Sequence, residues 1–374
     1  MSDLSELLEQ YNYVTKMQQL NIIRLLYLAD AFNPNTLSSD LTEIGHSAAQ
    51  IESAISVATE ATQGNQEPKD LHKFSAELIL EKLFFSIYPV AKNSKWPEKI
   101  HQWLLLITQR DLFARAAQGQ ERWQQETGLW MKRYEKEIRG IVENLGLENE
   151  VLPKLPFYKA ICPLGATAPE MKKRLGFNNR ILENGTKTER LYPLTGERFA
   201  DKNIDTTELL AKVSQIYEIP MEKIIETDLM RHAVEEMHFS VPHTIIHTPK
   251  GEKPRPTTID TVIELGKQVP TLEGDVLFIS GAPNIQAQHE DILATVKKYL
   301  PKVKPEVVGD KCQNVTLNRI MGALGGALFG GYPRVAIELG CEKSVDALEV
   351  ERTNFSYSAQ QARAQHSSNN VIKI

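Results

Sequence analysis

The chain has 374 residues, 41% of them hydrophobic and 24% charged, with a formal net charge of −5. That length accommodates two domains with separate cores, and the composition is that of an ordinary soluble protein. The mildly acidic total gives no basic surface for a nucleic-acid partner, and no apolar run approaches the roughly 20 residues that span a bilayer. Cys162, Cys312 and Cys341 lack Cys-x-x-Cys spacing, which argues against a disulfide framework or thiolate zinc site and for a reducing compartment. The first six residues lack the basic start and apolar core of a secretory signal, so a cytoplasmic location is expected. Secretion into a host cell as an effector is the alternative, since the polar tail is compatible with a secretion signal.

Residues 1–150 carry helical spacing. Leu4, Leu7, Leu8 and Tyr11 lead into Leu20–Leu28, which stops at Asn33-Pro34. Further helices are predicted over Asp40–Thr62, Leu71–Ile87, Pro97–Ala117 and Gln120–Leu145. All four tryptophans, Trp96, Trp103, Trp123 and Trp130, fall here, and Trp123 and Trp130 share a helix face suited to packing between helices. No charged motif in this part points to catalysis.

After Leu152-Pro153 strands and helices alternate. Tyr158–Leu164 reads as a strand, Gly165-Ala166-Thr167 as a sharp turn, and the following residues as a helix that stops at Asn184-Gly185. Thr167 and Glu170 have the spacing of a capping box. Glu189–Leu194 returns as a strand ending in Thr195-Gly196-Glu197-Arg198. Helices over Thr206–Tyr217 and Met230–Phe239 precede a strand at His243–His247 and a helix at Thr258–Gln268. Strand Asp275–Ser280, helix Gln286–Leu300, strand Lys304–Val308 and helix Val315–Phe329 follow, the last with glycines and alanines suited to close packing on the sheet.

This order predicts an α/β fold: a doubly wound, mostly parallel, Rossmann-like sheet covered on both faces and preceded by an all-α helical domain. The expected divisions are 1–150, 151–343, and a C-terminal extension over 344–374 that is partly mobile from Ser356.

Open α/β sheets bind ligands at the carboxyl ends of their strands, and the chemistry-bearing residues gather there. Gly165 and Gly196 allow close backbone approach. The N–H groups and helix dipole behind Thr167 suit an anion. Arg174, Arg198 and Arg255 supply positive charge, and Thr195, Thr257, Thr258, Ser280 and Asn284 supply hydroxyls and an amide at strand ends and helix starts. Ordinary helix capping uses the same residue types. Glu197 and Asp260 are the candidate acid–base groups. His232, His238, His243 and His247 cluster in sequence, but their spacing does not bring a ligand set to one ion, so no metal site is expected. Neither a Gly-x-Ser-x-Gly elbow nor a phosphate-loop Gly-Lys-Ser/Thr motif occurs.

The run from Ala160 to Asp310, about two-fifths of the chain, resembles the YdcF-like and SanA-like family of bacterial Rossmann-type proteins of largely unknown function. The resemblance rests on Leu164-Gly165, Arg174, Thr195-Gly196, Glu208, Thr257-Thr258-Ile259-Asp260 and, loosely, Ile279-Ser280. The acidic-Asn pair usual after the Thr turn stands here as Asp260-Thr261, and the His and Arg usual after the last strand are replaced within Pro283–Gln286. The resemblance implies a Rossmann-like domain that binds a small anionic or nucleotide-like ligand.

Two function classes stay open. One is a transferase or hydrolase acting on a phosphate-bearing or adenosyl-type ligand, with a nucleotide or S-adenosylmethionine as the cofactor class, by analogy of fold. The other is a non-catalytic protein-interaction or ligand-sensing module whose helical domain contacts another protein.

Overall fold

The computed structural model describes residues 8–11, 13, 16–29, 31, 34–43, 47–49, 51–52, 55–56, 98–113, 128–253 and 255–354. The chain divides into two compact units, one of residues 1–147 together with 315–374, the other spanning Glu148–Asn314. In the first unit the described helices before the division are α1 (Lys16–Leu28), α2 (Pro34–Glu43), α3 (Glu98–Ile107), α4 (Leu129–Arg133) and α5 (Glu135–Leu145). A π-helical turn over Thr108–Phe113 continues α3. Gly146 ends α5 in the left-handed region at φ 68°, where its N–H reaches the Glu143 and Val142 carbonyls. Trp103 is buried and Trp130 half-buried. The predicted helix over Leu71–Ile87, Trp96, Trp123 and the tail from Ser356 lie outside the described residues.

The second unit is α/β, with parallel strands and helices in alternation. Its strands are β1 (Phe157–Tyr158), β2 (Ala160–Pro163), β3 (Lys187–Thr188), β4 (Leu194–Gly196), β5 (Ile246–Thr248), β6 (Gly274–Gly281) and β7 (Val303–Asp310). Its helices are α6 (Ala168–Glu183), α7 (Thr207–Tyr217), α8 (Glu226–Met237), α9 (Thr258–Gln268) and α10 (Ile285–Tyr299). They form three small parallel sheets, β2-β6-β7, β4-β5 and β1-β3. Single parallel bridges, Ile161 to Leu191 and Leu164 to Leu194, link β2 to the segment that leads into β4.

Alternation along the strands explains how both faces are buried. Ala160, Cys162, Val276 and Phe278 pack with Val262, Leu265, Ile292 and Val296 from α9 and α10. Ile161, Leu277 and Ile279 turn the other way, onto Phe177 and Ile181 of α6. The four central residues of β6, Val276 to Ile279, are fully buried. Each such side chain contributes roughly 1.5–3 kcal/mol over an exposed one.

The chain then returns to the first unit through α11 (Leu317–Glu338). Sequence spacing stops this helix at Phe329 and sets it on the sheet, within a domain reaching 343. In the structure it runs through Pro333 and groups with the first unit. Pro333 has no N–H for the Phe329 carbonyl, one turn back. Arg352 replaces that donor: its Nη1 bonds the carbonyls of Phe329 at 3.2 Å and Gly330 at 3.1 Å. The same guanidinium stacks 4.7 Å from the Phe329 ring centroid. The Tyr11 hydroxyl donates to the Leu328 carbonyl at 2.8 Å and lies 2.6 Å from His101 Nε2. Burial holds the His101 imidazole well below its ordinary pKa. Among the described residues no helix is long and apolar enough to cross a membrane.

Arg352→Ala removes the donor that repairs the helix at Pro333, and the expected loss of stability is about 1–3 kcal/mol. Denaturant unfolding checks the size, and faster amide exchange in α11 locates it. His101 gives a pH signature of defined sign. Its depressed folded pKa leaves stability intact above the ordinary value of 6.5 and removes it progressively as pH falls below that. Wild type should therefore lose more stability between pH 7 and 5 than His101→Gln, as measured by melting at each pH.

Candidate functional site

The carboxyl ends of β2 and β4 meet at a buried carboxylate that sequence spacing did not single out. Glu226 opens α8, and its Oε1 accepts the Gly196 N–H at 3.1 Å while its Oε2 accepts Arg198 Nε at 3.1 Å. Both side chains are only 10% exposed. Burial pushes the Glu226 carboxyl above the ordinary glutamate range, against the opposing pull of Arg198, the Gly196 N–H and Arg174. Gly165 makes room for it. A Cβ on Gly165 would lie 2.0 Å from Glu226 Oε1 and 2.7 Å from the Leu194 carbonyl. The glycine therefore admits a carboxylate of the protein itself to the turn after β2.

Arg198 is held by several groups at once. Its Nη2 donates to the Ala166 carbonyl at 3.1 Å, its Nη1 to the Phe199 carbonyl at 3.2 Å, and Nη1 stands 3.6 Å from Asp205 Oδ2. Asp205 is fully buried and accepts the Ala168 N–H at the start of α6, 2.8 Å away, as well as the Asp201 N–H at 2.8 Å. The capping box expected from Thr167 and Glu170 does not form: Thr167 makes no side-chain cap bond. A carboxylate distant in sequence caps the helix instead, and it carries the negative charge that the dipole favours.

Arg174 and Gln288 build a second hub. From the buried side of α6, Arg174 Nη1 donates to the carbonyls of Leu164 at 2.9 Å and Gly165 at 2.7 Å. Its Nη2 lies 3.5 Å from Gln288 Oε1, which also accepts the hydroxyl of buried Ser280 at the end of β6. Gln288 Nε2 donates to Thr258 Oγ1 at 3.3 Å at the start of α9. One amide thus joins α6, β6 and α9. Gly165, Arg174, Thr258 and Ser280 meet through it, while Gly165, Gly196 and Arg198 meet around Glu226.

The chain matches no family model, no curated protein and no solved structure. The other sequence-predicted residues have separate surroundings. Asp260 caps α9, accepting the Thr257 N–H and hydroxyl, each at 2.8 Å, and Lys253 Nζ at 2.6 Å. Burial alone would raise its carboxyl, but the bonds from Lys253 and Thr257 outweigh that and hold it below the ordinary aspartate range. An ionised cap is a structural task. Glu197 Oε2 accepts the Lys250 N–H at 3.1 Å, outside both hubs. Asn284 occupies the cap position of α10 without a side-chain cap bond, and Arg255 is half-buried in the turn before α9. At Gly196 a Cβ would lie 3.0–3.2 Å from the Pro256 ring, so this glycine admits a protein side chain too. Thr195 bonds the Ile246 carbonyl and the Thr227 hydroxyl on the face toward α8. No group of three or more His, Cys, Asp or Glu able to hold a metal occurs among the described residues.

Gly165→Ala forces its methyl group into Glu226 and the Leu194 carbonyl, so a loss on the order of 3 kcal/mol is expected. Adding Glu226→Ala removes the closer of the two contacts. The double variant should then lose less than the sum of the single losses, as read by a double-mutant cycle in urea.

Proposed function

We propose that the second unit is a doubly wound, Rossmann-like domain of the YdcF and SanA kind, following an all-α helical domain. It binds a small anionic or nucleotide-like ligand at the carboxyl ends of its strands. The two bridges beside β2 support joining the small sheets into one, with strand order β5-β4-β2-β6-β7. In that order the chain leaves β2 toward one edge and later fills the other from β6, which makes the crevice between β2 and β6 the topological switch point. Ligands of open α/β sheets lie in such crevices.

One observation carries the reading: Arg174 and Gln288 tie the turn after β2 to Ser280 at the end of β6, at that crevice. A guanidinium fixed by two carbonyls presents its charge in a set geometry, as recognition of a phosphate or carboxylate requires. Glu226, in place of Glu197 and Asp260, is assigned the acid–base role, because it stands between the ends of β2 and β4, bonded to the Gly196 N–H and Arg198, and burial raises its carboxyl above the ordinary glutamate range. The reaction class is transfer or hydrolysis on a phosphate-bearing or adenosyl-type ligand. A second reading, a non-catalytic ligand-sensing module, is favoured by Arg198, whose guanidinium bonds Glu226 and backbone carbonyls of its own chain.

A thermal-shift screen against AMP, ATP, S-adenosylmethionine and sugar phosphates tests the proposal. A ligand at about 100 times its dissociation constant adds about 2.7 kcal/mol to native stability, an increase of several degrees in melting temperature. Arg174→Ala should abolish the increase. No shift with any of these ligands, or a shift that Arg174→Ala leaves intact, would sink the assignment.

A further inference from the structure

His247 is the second residue of β5 and the register partner of Thr195 in β4, so both side chains stand on the face covered by α8. Thr227, next to Glu226 in the first turn of α8, bridges them. Its Oγ1 is 2.8 Å from Thr195 Oγ1 and 2.8 Å from His247 Nδ1, while Thr195 Oγ1 is 3.1 Å from the Ile246 carbonyl. These contacts fix every proton in the chain. A carbonyl only accepts, so Thr195 gives its single hydroxyl proton to Ile246. Thr227 must then donate to Thr195, because Thr195 has no second proton. Thr227 in turn has none left for the imidazole, so His247 donates from Nδ1. In a neutral ring this leaves the lone pair on Nε2. Among the described residues the ring of half-buried His247 makes one hydrogen bond, the one through Nδ1.

We propose that His247 is a ligand-contacting residue whose Nε2 accepts a hydrogen bond from a hydroxyl of the ligand, with Thr227 and Thr195 as positioning residues that hold its tautomer. This deepens the proposed function and rests on it: the Glu226 and Thr227 pair joins the histidine to the β4 end, since Glu226 accepts the N–H of Gly196 directly after Thr195. The ligand class narrows to anions that also carry hydroxyl donors, such as a ribose or other sugar phosphate. The histidine side chain in water favours the opposite tautomer, so the relay has a spectroscopic consequence that simple packing would not produce.

The full chain, labelled with ¹⁵N-histidine and assigned with His247→Gln, is examined by long-range ¹H–¹⁵N correlation at alkaline pH. The expected signature is a protonated Nδ1 and an unprotonated Nε2. Thr227→Val should shift the population toward Nε2–H, and Thr227→Ser should restore it. Nε2–H in wild type, or a tautomer indifferent to Thr227→Val, overturns the relay. Binding is then compared for inorganic phosphate and ribose 5-phosphate. The sugar phosphate should bind about tenfold more tightly, the worth of roughly one good hydrogen bond, and His247→Phe should erase that preference while leaving phosphate binding in place. Phosphate binding without a preference for ribose 5-phosphate overturns the inference and leaves the anion reading standing. Binding of neither also overturns the inference, and it overturns the proposed function as well if AMP, ATP and S-adenosylmethionine fail to bind.

Discussion

A carboxylate taken out of water between two strand ends has to be met by donors from several directions, and much of the local architecture follows from meeting it. Removing an ion of that size from water costs several kcal/mol, and only close pairing and hydrogen bonding offset it. Glu226 receives the Gly196 N–H and the Arg198 guanidinium. Arg198 brings the Ala166 carbonyl with it, and Asp205 stands close on its other side. The turn after β2 is thereby fixed by residues from three later segments. Gly165 follows as a requirement, since any side chain there would occupy the position of the carboxylate.

This constraint also explains which features could be read from the residues and which could not. Strand and helix alternation over the second unit is written in short apolar runs and glycine turns, and helix α9 has the limits that its spacing predicts, Thr258–Gln268. Gly165 and Arg174 stand out for the same local reasons. Glu226 does not. The apolar periodicity of its helix becomes visible only near Met230, whereas α8 starts at Glu226, and the polar first turn has the look of a solvated cap. Its partners Arg198 and Gly196 lie about 30 residues earlier, a distance over which spacing carries no information. Thr167 shows the converse. Its capping box is sound local chemistry, but the buried Asp205 carboxylate reaches the same helix start and takes the Ala168 N–H.

Helix α11 carries the same lesson in the first unit. A proline after a glycine-rich run reads as a stop because the lost N–H is a local defect. The defect is repaired by Arg352, which lies beyond the end of the helix and supplies donors to the two carbonyls. Small residues that suit packing against a sheet suit packing between helices equally well. Only the observed contacts of α11 with the π-helical turn and α3 distinguish the two.

The balance of charge at the two hubs bears on how a ligand would be received. Arg174 and Arg198 oppose Glu226 and Asp205, so the cluster is near neutrality, and an added anion meets two carboxylates as well as two guanidiniums. Glu226 is the member able to adjust, because burial already raises its pKa. An anion seated against Arg174 would draw that guanidinium's field away from Glu226 and add a repulsion of its own. Both effects favour protonation of the carboxyl, and linkage requires that protonation favour the anion equally. The buried glutamate then has a defined part in the proposed site. It keeps Arg198 and the β2 turn in place, and in the proposed site it would give up its charge to an arriving anion, so that one side chain would reconcile a tightly paired resting state with an anion-binding one.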